Sequence, residues 1–189
     1  MKLAVVKEQV IDGLQKASSI IPARTGAAFL RTIWLRAQDG SLSILSTDSN
    51  LEFSGTYPAQ SSQAGLVGVQ GRKFYDLFRR LPPGEITLTL DASNNTLLLE
   101  QGRKKYKLPT NDPTWFQDFA PFPADNAVLW SGDFLKEMID RVSFCISDED
   151  TMEAMNCLKV RPKADRETVE VCGLNGHQFA MLRFVNPDI

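Results

Sequence analysis

A single histidine and three cysteines are all that this 189-residue chain offers for imidazole or thiol chemistry. Cys145, Cys157 and Cys172 are spaced by 12 and 15 residues in apolar surroundings, without a CxxC pair or a histidine cluster. They are expected to be buried, reduced thiols rather than metal ligands. His177 has no nucleophile elbow or flanking glycine pattern, so a Ser-His-Asp or Cys-His triad lacks support. There is no Gly-rich phosphate cradle and no aromatic platform beside the basic residues, which removes support for nucleotide binding and for sequence-specific base readout. No apolar run approaches the length that crosses a bilayer, and Lys2, followed by only four apolar residues before Lys7, does not begin a signal peptide. The expectation is a soluble, cytoplasmic, non-enzymatic protein with no catalytic residues, no cofactor, no bound metal and no membrane partner.

What the chain does have is repetition. At 43% hydrophobic content it can bury a real core. The stretch GVQGRKFYDLFRRLPPG, residues 68–84, reads as an apolar strand, a short polar turn and a helix with a stripe at Phe74, Leu77, Phe78 and Leu81. An earlier copy has a strand at 3–6 and the stripe Val10, Ile11, Leu14, Ala17; a later one has a strand at 128–130 and Leu135, Met138, Ile139, Val142. Strand-like runs follow each helix: 32–37, 42–46 and 51–57; then 86–90, 96–100 and 103–108; then 157–161, 168–173 and 179–184. Turn residues at Gln38-Asp39-Gly40 and Asn175-Gly176 mark hairpins. The pattern predicts three β-α-β-β-β units, an α+β chain with helices on one side of antiparallel sheets.

Charge is spread unevenly along these copies. The net is +1 over residues 1–65, +4 over 66–110 and −7 over 111–189. On a helical wheel, Arg72, Asp76 and Arg79 lie opposite the middle stripe, with Lys73 and Arg80 along one flank. That face is predominantly positive and suits phosphates, whereas Glu8, Asp12 and Lys16 oppose the first stripe and Asp133, Glu137 and Asp140 the third. The implied contact with a polyanion is loose and blind to sequence. The loop 147–153, SDEDTME, carries four carboxylates, read as solvated in preference to a divalent-cation site or a nuclease centre.

These residues resemble a known family. GRKFYDLFRRLPPG is similar to the second-helix motif of the bacterial DNA polymerase III β subunits, the sliding clamps. MKLAVVKEQVIDGLQKASSIIPAR resembles their N-terminus with its loop arginine, here Arg24, and QDGSLSILSTDSNLE and QGRKKYKLPT resemble later strands of the first domain. FLKEMIDRVSFCISDEDTMEAMNCLKV and LNGHQFA resemble parts of the second domain, so the likeness covers essentially the whole chain.

The resemblance implies the DNA clamp (processivity) fold, with residues 1–123 a complete first domain and 124–189 the first half of a second. It implies a homodimeric ring, when full length, that encircles duplex DNA and tethers DNA polymerase III. DNA contact would fall to Arg24, Arg72, Lys73 and Arg79. A pocket for short linear peptides of the polymerase and the clamp loader would be walled in part by Met155, Leu174, Gly176, His177, Gln178 and Phe179. At three of these positions the family's threonine, arginine and leucine are replaced by Leu174, Gln178 and Phe179. The strand holding Arg103 and Tyr106 would be the subunit-interface edge. The alternative implied by the chain's length is a truncated relative that competes for clamp-binding partners without encircling DNA.

Overall fold

Lys2–Val6 alternates exposed and buried side chains, with Leu3 and Val5 turned inward, and forms strand β1. It passes into helix α1, Lys7–Ile20, with Val6 as the N-cap residue, so the polar turn expected between strand and helix is absent. These observations come from a computed structural model that describes residues 1–22, 27–121, 130–147, 152–165 and 167–185.

After α1 come β2 (Thr32–Gln38), β3 (Ser41–Thr47) and β4 (Glu52–Pro58), an antiparallel meander. Its first turn is closed by Gly40, whose φ of +72° favours glycine. Two further strands follow, β5 (Gln60–Gln63) and β6 (Gly65–Gln70). No strand pattern marks β5, because QSSQ has no apolar alternation and is held by backbone pairing to β1, with Leu3 opposite Ser61. β6 then runs straight into helix α2, Gly71–Arg80, and on to β7 (Glu85–Asp91), β8 (Thr96–Gln101) and β9 (Lys104–Asn111). The nine strands lie in the order β4-β3-β2-β6-β9-β8-β7-β1-β5.

One core serves both helices. Val10, Leu14 and Ala17 of α1 and Phe74 and Phe78 of α2 join Ile33, Leu35, Ile86, Leu88, Leu97 and Leu99 from the strands, all essentially inaccessible. Phe74 and Phe78 pack with ring centroids 5.1 Å apart. Gly13 lets the Tyr57 ring come so close to α1 that an added Cβ would meet its Cζ at 2.2 Å.

This is the first of two compact units, Met1–Ala120 and Pro121–Ile189. In the second, helix α3 (Gly132–Asp140) is capped by the Ser131 hydroxyl, which accepts from the Phe134 N–H at 3.2 Å. A three-stranded antiparallel sheet follows: β10 (Lys159–Pro162), β11 (Thr168–Leu174) and β12 (Phe179–Val185). Met138, Val142, Val169 and Val171 form its core, with Trp130, Phe134 and Phe184 packed edge to face.

Two expectations need correction here. Leu135 and Ile139 are 40% and 39% exposed, because α3 has a small sheet to cover and buries a narrower stripe through Met138. Of the cysteines, Cys145 is buried and Cys172 half-buried, but Cys157 is exposed just before β10. All three are free. Of the strand expected at 128–130, residues 128 and 129 fall outside the described residues, and Trp130 is not in a strand.

Candidate nucleic-acid interface and partner-binding loop

The chain ends of α1 and α2 show that the two helices run antiparallel, and two basic side chains hold them so. The Arg72 guanidinium, in the first turn of α2, donates to the carbonyl of Ile21 at the end of α1 at 2.8 Å. Lys7 starts α1, and its Nζ donates to the Arg79 carbonyl at 3.0 Å and to that of Leu81, the C-cap of α2. Each cation thus satisfies carbonyls that a helix end leaves without a partner and faces the negative end of its dipole. Glu8 adds a link by accepting from the Gly84 N–H at 3.2 Å.

Along the outer face of α2, Arg72, Lys73, Asp76, Arg79 and Arg80 are all exposed, as the helical wheel predicts. Arg79 meets Asp76 at 3.5 Å and lies 5.9 Å from the centre of the Tyr75 ring, a loose arrangement. Of the other helical cations, Lys7 is engaged by the carbonyls at the end of α2, and the rest are matched within a turn: Lys16 with Asp12 at 2.7 Å on α1, Lys136 with Asp140 on α3, and Arg141, the C-cap of α3, with Glu137 at 2.5 Å. Among the described helices, positive charge left over for an outside anion therefore concentrates on α2. Arg24 lies outside the described residues.

Five of the six partner-pocket candidates come together in one hairpin end. Leu174 closes β11 opposite Phe179, the first residue of β12, and Gly176, His177 and Gln178 bridge them. The Asn175 carboxamide oxygen accepts from the N–H groups of His177 and Gln178 at 3.1 and 2.8 Å, and Gly176 takes a φ of +83°. Leu174 and Phe179 are 43% and 62% exposed, an apolar pair left open to solvent. Met155 belongs to a different element, the 3₁₀ turn Glu153–Asn156, where its carbonyl accepts from Ser147 N–H at 2.8 Å.

The interface-edge candidates separate. β9 begins at Lys104, so Arg103 stands in the tight β8–β9 turn, and Tyr106 is half-buried against the core. Among the described residues the strand pairs with β8 alone from 104 to 109, and β6 joins only at Thr110 and Asn111. Of the acidic loop, residues 148–151 are not described; among the described residues no group of three or more His, Cys, Asp or Glu is placed to hold a metal ion.

Three further features were not foreseen. A cavity of about 230 Å³ between the end of α1 and the start of α2 brings Arg31 beside Arg72 and Lys73. A larger cleft of about 470 Å³ is walled by Trp34, Trp115, Phe116 and Phe119. On the second unit's sheet, the Glu170 carboxylate is held by Arg161 and Arg183, each at 2.6 Å, and by Lys163 at 2.9 Å. Its pKa falls from 4.5 to about 2, chiefly through the Arg161 hydrogen bond and then that of Lys163. Sequence alone could not have grouped these residues, since each set comes from separate elements.

Antiparallel sheets and paired helices in this arrangement are the fold of the sliding clamps. The profile of the DNA polymerase III beta subunit, N-terminal domain, matches residues 1–119, and the chain belongs to that family. The beta sliding clamp of Proteus mirabilis is 26% identical over 183 residues, covering 96% of this chain and 49% of that protein. A crystal structure of the Caulobacter crescentus sliding clamp shares 25% identity and superposes with a TM-score of 0.88, over 100% of this chain and 52% of that one. The Helicobacter pylori beta clamp, solved bound to a DNA ligase peptide, shares the fold at 18% identity and a TM-score of 0.86, over 98% and 52%. The chain spans about half the length of the curated relatives it matches. These relatives are processivity factors rather than enzymes. No helix among the described residues is long and apolar enough to cross a membrane.

Proposed function

We propose that this chain supplies the first domain of a sliding clamp, residues 1–123, and the first half of the second, 124–189. In the complete protein it forms a homodimeric ring in the cytoplasm that encircles duplex DNA and tethers DNA polymerase III. The observation that carries this reading is the exposed, incompletely neutralised cationic face of α2 within a family of clamps. Arg24, Arg72, Lys73 and Arg79 contact phosphates without reading bases. The open stretch of β9 near Tyr106 suits strand pairing across a subunit boundary, with Arg103 in the adjacent turn. The hairpin Leu174 to Phe179, together with Met155, walls part of a pocket for linear peptides of polymerase and clamp loader; the peptide-bound relative supports that role.

The test is the salt dependence of duplex binding by the complete protein. Each lost phosphate contact lowers the slope of log K against log salt by about 0.9. Replacing Arg24 and Arg79 by alanine is expected to weaken binding at low salt and flatten that slope. An unchanged slope removes both residues from the interface.

A further inference from the structure

The small cavity at the junction of α1 and α2 is lined by Ile21, Pro22, Gln70 and Gly71 and by three cations, Arg31, Arg72 and Lys73, with no carboxylate among the described residues of its wall. The cations come from two elements. Arg31 ends a 3₁₀ turn, Phe29–Arg31, immediately before β2, and the antiparallel pairing of Thr32 with Gln70 carries it to the entrance of α2. None of the three is engaged in an ion pair among the described residues. Three like charges around one cavity repel one another, and an anion bound among them removes that cost. Arg72 is already oriented by its bond to the Ile21 carbonyl, so little further ordering is required of it. The volume of about 230 Å³ exceeds the share of several water molecules and leaves room for a phosphate with part of its hydration.

We propose that Arg31, Arg72 and Lys73 form a phosphate pocket that seats one backbone phosphodiester of duplex DNA. This rests on the DNA-contact reading above and deepens it: Arg31 is a contact residue, and one phosphate is held in a defined place while the rest of α2 contacts the backbone loosely. Guanidinium groups suit this task because their planar forks bind phosphate oxygens in pairs.

The experiment measures fluorescent duplex DNA binding by the complete protein over a potassium chloride series, and its displacement by inorganic phosphate at constant ionic strength. Wild type, Arg31→Ala, Arg31→Lys and Arg79→Ala are compared. Arg31→Ala is expected to reduce the salt slope by about 0.9 and to abolish the excess displacement by phosphate over chloride, while Arg31→Lys, which keeps the charge, retains most of the slope. If Arg31→Ala does not fold, folded Arg31→Lys decides the matter: its ammonium lacks the paired donors, so its phosphate sensitivity is expected to drop, and wild-type sensitivity would overturn the pocket. Loss of phosphate sensitivity with an unchanged salt slope would assign the pocket to free phosphate and overturn the DNA assignment. No change in either quantity overturns the pocket altogether. Arg79→Ala separates the failures: if it flattens the slope and Arg31→Ala does not, the clamp reading stands and the pocket falls.

Discussion

Glu170 shows what a single residue can hold in place. Its side chain is only 6% exposed on the outer face of β11, opposite Arg161 on β10 and Arg183 on β12, with Lys163 closing the ring. A carboxylate so placed needs its partners, since an unpaired buried charge is strongly unfavourable. Because its folded pKa lies near 2 rather than 4.5, the cluster stabilises the fold fully above about pH 4.5 and loses that contribution as pH falls toward 2. Urea unfolding of wild type and Glu170→Gln across this range checks the point. The wild-type midpoint is expected to fall more steeply below pH 4.5 than that of the variant, and parallel curves would show that the cluster contributes nothing. The alternation of β11 is legible in the sequence, but the cluster is not, because its cations stand at 161, 163 and 183 and meet only through strand register.

At the scale of elements, reciprocal capping of α1 and α2 is the main device. Lys7 and Arg72 occupy corresponding starts of the two helices and each closes the end of the other. Lys7→Ala and Arg72→Ala are each expected to cost about 1 kcal/mol, from one lost charge-assisted hydrogen bond and one charge–dipole contact. The sites lie at opposite ends of a helix pair about 20 Å long, so the double variant is expected to show additive losses in chemical denaturation. Strong coupling between them would contradict the arrangement. Most elements can be read from the chain because stripes such as Val10, Leu14 and Ala17 carry the helical period and their faces are buried as that period requires. β5 leaves no such trace because its pairing depends on backbone alone, and the buried stripe of α3 is narrower than its period suggests because how much of a helix a sheet covers is a tertiary matter.

The whole molecule is a pair of units whose surface charge differs in kind. In the first, α2 presents cations with few partners, whereas in the second the cations at α3 are matched within a turn and Arg161, Lys163 and Arg183 converge on Glu170. The excess of +4 over residues 66–110 points to α2 from the sequence alone. What a charge count cannot give is the division of labour there: Arg72 ties two helices together and lines a cavity with Lys73 and Arg31, and Arg79 stays exposed beside Asp76. On the function proposed above, the complete clamp holds DNA by topology, with electrostatics needing only to be weak and mobile. Retention on DNA therefore has to depend on whether the DNA has ends. The decisive measurement loads the complete protein onto a nicked circular plasmid with its clamp loader, at salt high enough to screen phosphate contacts, and follows retention by gel filtration before and after linearisation. Topological holding predicts retention on the circle and rapid loss once an end is cut; equal retention on both forms would contradict it.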